Sequence, residues 1–182
     1  VSFSYPGAGG PALQNINLRI AAGETVGIIG GTGSGKSSLV QLIPRLYDVS
    51  SGRVLLGGVD VQQQSLAELR SKVAIVLQKN LLFSGTILEN LRWGNPEASQ
   101  AEVEAACRSA AAHDFILSLP QGYQTMLGQG GVNLSGGQKQ RLCIARALLR
   151  QAAVIILDDS TSAVDTATDK QIRQALAAES RS

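Results

Sequence analysis

The sequence predicts an α/β fold: a parallel-sheet core, an N-terminal antiparallel β region and an inserted α-helical subdomain. Three observations predict it. A short apolar strand, Thr25–Ile29, runs into a glycine-rich loop and then a helix from Ser37 to about Leu46. Two further apolar runs, Val73–Leu77 and Val154–Leu157, have the length and β-branched content of strands buried on both faces. Between them lies a long stretch whose start signals are helical.

Each element has its own justification. Val1–Tyr5 alternates like a strand and turns at Pro6-Gly7, and Asn15–Ile20 alternates again. Arg53–Leu56 and Val59–Val61 read as short strands about Gly57-Gly58. Ser65-x-x-Glu68, Thr86-x-x-Glu89 and Ser99-x-x-Glu102 are capping boxes, so 86–119 should be mostly helical until Pro120-Gln121-Gly122 breaks it. Ser135 can cap a helix to about Arg150, and a last helix fills roughly Thr166–Ala178. The expected division is a core at about 1–78 and 151–182 with a helical subdomain at about 79–150.

Composition narrows the function. The chain has 182 residues, 44% hydrophobic and 16% charged, which suits one globular domain and argues against disorder. A net charge of +2 and 4% aromatics give little reason to expect a nucleic-acid partner. No apolar run approaches the ~20 residues that span a bilayer. Any membrane link is then expected through a partner or through further sequence, and the chain reads as truncated at both ends. Cys107 and Cys143 lack metal or redox spacing and read as two reduced structural thiols.

The chemistry sits in short motifs. Gly30-Gly31-Thr32-Gly33-Ser34-Gly35-Lys36-Ser37, followed by Ser38, is a phosphate loop, whose backbone N–H groups form an anion nest while Lys36 reaches phosphates and Ser37 ligates Mg²⁺. Asp158 ends an apolar strand, where a carboxylate can hold Mg²⁺ or simply cap the next turn. Leu134-Ser135-Gly136-Gly137-Gln138 places a hydroxyl and glycine N–H groups at a helix start, a second potential anion site or a plain Ser-capped helix.

In this order, with Gln78 after a strand and Ser162-Ala163-Val164-Asp165 near the end, these motifs resemble the nucleotide-binding domain of ABC transporters, of the exporter (multidrug/lipid) type, over essentially the whole chain. The resemblance implies a P-loop NTPase fold and a MgATP-hydrolysing domain that dimerises around ATP to power export. Tyr5 would stack on adenine, although it could be an ordinary exposed tyrosine. Gln78 would contact Mg²⁺ and the attacking water, and Ser135, Gly136, Gly137 and Gln138 would face ATP held by a second nucleotide-binding domain. Lys36, Gln78 and Asp159 would be the catalytic set; Ser37, Gln78 and Asp158 would hold the metal. Partner transmembrane domains would place the domain at the cytoplasmic face of the cell membrane.

Two residues depart from that pattern. Asp159 stands where the family carries a glutamate that polarises water, and the shorter side chain should slow hydrolysis. This resembles the degenerate site of heterodimeric exporters, so an ATP clamp serving a catalytic partner is the alternative, with a heterodimer favoured. Gln129 replaces a glutamate that faces membrane-domain loops. His113, the single histidine, reads as a solvated helix residue, and the chain stops before the further strand and switch histidine that the resemblance would place after the last helix.

Overall fold

The computed structural model describes residues 1–158 and 164–179, which divide into two compact units, Val1–Val73 and a second beginning at Ala74. Asp159, Ser162 and Ala163 lie outside the described residues.

In the first unit the N-terminal segment bridges antiparallel to two others, Ser2 to Ser51 and Phe3 to Leu13. Phe3 donates its N–H to the Leu13 carbonyl at 2.9 Å and accepts from Ala12 N at 2.8 Å. These pairings bring Phe3, Leu13 and Leu42 into a small core. Leu42 comes from helix α1, Lys36–Leu42. That helix stops earlier than the sequence suggests, because Pro44 has no N–H to continue the helical ladder and Arg45 turns left-handed at φ 53°. Strands β1 (Leu55–Leu56) and β2 (Val59–Asp60) form the expected hairpin. Gly57 and Gly58, at φ 61° and 81°, make the two-residue turn whose positive φ matches strand twist. Helix α2, Leu66–Ser71, is capped by Ser65, whose Oγ accepts from Glu68 N at 3.2 Å. The Glu68 carboxylate does not return the box bond and pairs with Lys72 at 2.7 Å.

Two expected strands are not formed. Asn15–Ile20 and Thr25–Ile29 join no ladder among the described residues, and Ile29 is 99% exposed. Alternation marks one face of an extended chain, but a strand also needs a partner offering hydrogen bonds.

The second unit holds the sheet and most helices. Strand β3, Val73–Val76, pairs in parallel with a later strand, Val154–Leu157, and the Asp158 N–H continues the ladder to the Val76 carbonyl at 2.9 Å. Between them, β4 (Gly85–Thr86) pairs antiparallel with β5 (Met126–Leu127), so the Val154–Leu157 strand is β6. Helices α3 (Ile87–Arg92), α4 (Gln100–Ser109) and α5 (His113–Ser118) occupy the predicted helical stretch. They are separated at Gly94 and at Ala111, whose φ is 53°. The Thr86/Glu89 and Ser99/Glu102 boxes close in both directions.

Helix α6, Gly136–Leu149, is the spine of this unit, with Leu142, Ile144 and Ala145 packed against Ile87, Leu91, Val103 and Cys107. Helix α7, Thr166–Glu179, adds the fully buried Ile172. Among the described residues no helix is long and apolar enough to cross a membrane.

Candidate nucleotide-binding site

The phosphate loop lies in the first unit. Its lysine folds back over the loop: Lys36 Nζ donates to the carbonyls of Gly30 at 2.7 Å and Gly31 at 2.8 Å, and reaches Ser34 Oγ at 3.5 Å. Gly35 is the residue before α1, at φ 89°, and a Cβ there would sit 2.8 Å from the Ala12 carbonyl oxygen and the Leu13 side chain. Any other residue would be strained twice over. At Gly30 a Cβ would crowd Ser34 Oγ. Gly31, Thr32, Gly33 and Ser34 are exposed, and added carbons at Gly31 and Gly33 would meet nothing within 4 Å. The loop therefore has a crowded inner side and an open outer side, a cradle suited to a phosphate chain. Ser37 is half-buried in the first turn of α1.

Tyr5 is in the same unit and is more than a turn residue. Its half-buried ring packs edge-on against Phe3 and Tyr47, with centroids 4.7 Å and 5.1 Å away. Its hydroxyl is 2.8 Å from Oγ of the buried Ser38.

The remaining candidates lie in the second unit. Gln78 is exposed just past β3, and Asp158 follows β6 at its carboxyl end. Gln78 offers an amide oxygen and Asp158 a carboxylate, each a hard oxygen ligand of the kind Mg²⁺ takes. Asp159, the expected base, lies outside the described residues.

Leu134–Gln138 forms the start of α6. Ser135 Oγ accepts from Gln138 N at 3.2 Å, and Gln138 Oε1 accepts from Ser135 N at 2.9 Å, a closed capping box. Leu134 is buried as the anchor. Ser135, Gly136 and Gly137 open onto a cavity of about 460 Å³, lined also by Arg141, Val164 and Asp165. Arg141 carries no signal in the sequence, since a basic residue within a helix is ordinary there. Its Nη1 donates to the Ala111 carbonyl at 2.7 Å, its Nε to Gly137 at 3.3 Å, and its guanidinium lies over the Phe115 ring at 4.7 Å. Asp165 accepts from Thr168 N at 3.0 Å and from its hydroxyl at 2.7 Å. Those bonds hold its carboxyl below the usual range.

The chain belongs to the ABC transporter family. The family pattern matches residues 13–162. The chain is 47% identical over 97% of its length to an ATP-dependent lipid A-core flippase of Syntrophus aciditrophicus, covering 29% of that protein. It is 49% identical, again over 97%, to a putative multidrug export ATP-binding/permease protein of Staphylococcus aureus, covering 30% of it. A solved structure of a bacterial Atm1-family ABC exporter with ATP bound superposes with a TM-score of 0.93 at 40% identity, over 99% of this chain and 31% of that one. The chain thus spans under a third of the length of these relatives. The ABC fold and the exporter-type likeness agree with the expectation from sequence.

Two expectations outside the nucleotide motifs can also be placed. His113 is not a solvated helix residue: it is half-buried at the start of α5, with Nδ1 2.9 Å from the Tyr123 hydroxyl. An exposed position cannot be inferred from a histidine alone, because its partner comes from another element. Cys107 and Cys143 are free and buried, and burial pushes both thiols up, Cys107 to about 11. Gln129 is exposed in the turn Gln129–Gly131.

Proposed function

We propose that this chain is the MgATP-binding and hydrolysing domain of an exporter. It pairs with a second such domain around ATP and works through attached transmembrane domains at the cytoplasmic face of the membrane. The observation that carries the reading is the phosphate loop, tethered through Lys36 to the carbonyls of Gly30 and Gly31, in a chain that aligns over 97% of its length with export proteins.

Each group then has a task. Amides of Gly31–Ser37 and the Lys36 ammonium bind the β- and γ-phosphates, and Tyr5 stacks on the base. Ser37, Gln78 and Asp158 supply oxygen ligands to Mg²⁺, which neutralises phosphate charge when bound. Ser135, Gly136, Gly137 and Gln138 serve the nucleotide of the opposing domain, and Gln78 and Asp159 orient the water. The test is ATP turnover by the full-length protein in lipid, wild type against Lys36→Met. Loss of MgATP binding and turnover in the variant is expected, and a wild-type protein that binds no MgATP would refute the reading.

A second reading is motivated by Asp159. The domain is a slow ATP clamp whose intact Leu134–Gln138 segment supports a better catalyst, with a heterodimer favoured. Asp159→Glu should then raise turnover tenfold or more, ~1.4 kcal/mol of barrier. Brisk wild-type turnover unchanged by glutamate would exclude the clamp.

A further inference from the structure

We propose that Tyr47 and Ser38 are positioning residues for Tyr5, fixing the base-stacking ring to the phosphate-loop helix. The inference rests on the nucleotide reading above and assigns what makes its base end rigid. Three observations converge on the ring. Tyr5 and Tyr47 meet at an interplanar angle of 86° with centroids 5.1 Å apart. Phe3, only 2% exposed, meets Tyr5 at 74° and 4.7 Å, and Tyr47 at 5.5 Å, closing a three-ring cluster on the core of the first unit. The Tyr5 hydroxyl is 2.8 Å from Oγ of Ser38, which is buried in α1 two residues beyond Lys36.

The consequence is geometric. A lone tyrosine near a turn can stack on a base but must give up its freedom each time it does so. Here edge-to-face contacts restrict the ring plane, and the hydroxyl bond sets the ring's distance from the helix that carries Lys36. The groups that would read the two ends of a nucleoside triphosphate are joined through a direct hydrogen bond. This also separates tyrosine from phenylalanine at position 5. Both rings stack, but only the phenol reaches Ser38.

The test is titration of the full-length protein with MANT-ATP and Mg²⁺. Tyr5→Phe, which keeps the ring, is expected to weaken binding five- to tenfold. Tyr47→Ala should weaken it similarly, and Tyr47→Phe should bind within twofold of wild type, because it restores the ring contact. A Tyr5→Phe protein that binds like wild type, or a Tyr47→Phe protein as weak as Tyr47→Ala, would overturn the inference. If Tyr47→Ala does not fold, Tyr5→Phe decides alone. Wild-type protein that binds no MANT-ATP would instead refute the nucleotide reading itself.

Discussion

The side chain of Asn90 replaces a strand partner for Phe83: Oδ1 accepts from Phe83 N at 2.8 Å while Nδ2 donates to the Phe83 carbonyl at 2.9 Å. A third bond runs from Nδ2 to the Thr86 carbonyl at 3.0 Å, and Asn90 is 2% exposed. The segment between β3 and β4 has no ladder of its own at Phe83, so a buried amide supplies both donor and acceptor. Phe83 in turn stacks on Trp93 at 4.3 Å and 14°. Asn90→Ala should cost about 2–3 kcal/mol in urea unfolding, from three bonds of ~1 kcal/mol each. Asn90→Asp should cost more, since its carboxylate would face two carbonyl oxygens. An aspartate variant as stable as wild type would show that the amide does not hold this segment.

Cys107 gives a pH dependence with a definite sign. Burial raises its thiol from 9.0 to about 11, against smaller opposing effects that include a hydrogen bond with Tyr123, whose phenol burial also pushes up. The unfolded chain ionises first as pH climbs past 9, so stability from the neutral thiol is whole below pH 9 and drains away towards pH 11. The loss should be about 2 kcal/mol. Thermal midpoints between pH 7.5 and 11 should fall less steeply in Cys107→Ala than in wild type. Parallel curves would remove Cys107 from the account.

Gly94 is a steric prediction. A Cβ there would overlap the Arg146 carbonyl oxygen and approach the Leu149 side chain, because the end of α3 lies directly against α6. Its backbone is not left-handed, so close approach alone demands glycine. Gly94→Ala should lose at least the ~1–3 kcal/mol typical of overpacking. Unchanged denaturation would mean that the two helices slide apart freely.

Ser135 has a capping role and a proposed nucleotide role that substitutions can separate. Ser135→Ala removes the cap bond to Gln138 N, worth ~1 kcal/mol, together with the hydroxyl assigned to nucleotide. Ser135→Asn retains a capping side chain but changes the group presented to the cavity. It should melt near wild type while turnover of the full-length protein falls at least tenfold. Equal melting and equal turnover would leave Ser135 as a cap and nothing more.

How far the sequence could be read depends on the range of the forces involved. The Thr86/Glu89, Ser99/Glu102 and Ser135/Gln138 boxes are satisfied within four residues, so their spacing alone announces them. The phosphate loop is similarly local, because its glycines answer to backbone geometry. Asn90, Arg141 and Tyr47 were invisible for the opposite reason. Each acts on a group whose proximity arises from folding: Phe83 across a loop, Ala111 thirty positions away, and the Tyr5 ring in the N-terminal segment. Thr25–Ile29 shows the same limit in a strand, where pattern specified a face and could not supply a neighbour. Asp159, the residue on which the slow-clamp reading turns, was legible only as an unusual identity in its motif.

The stretch ending at Ile29 has a practical side. Val26, Ile28 and Ile29 are 38%, 41% and 99% exposed on a chain segment outside any described ladder. Exposed apolar side chains on a segment without a described ladder invite association with another chain. When this chain is handled alone at high concentration, self-association should begin there, beside the loop meant for phosphate. Covering that edge is then a condition for keeping the cradle accessible.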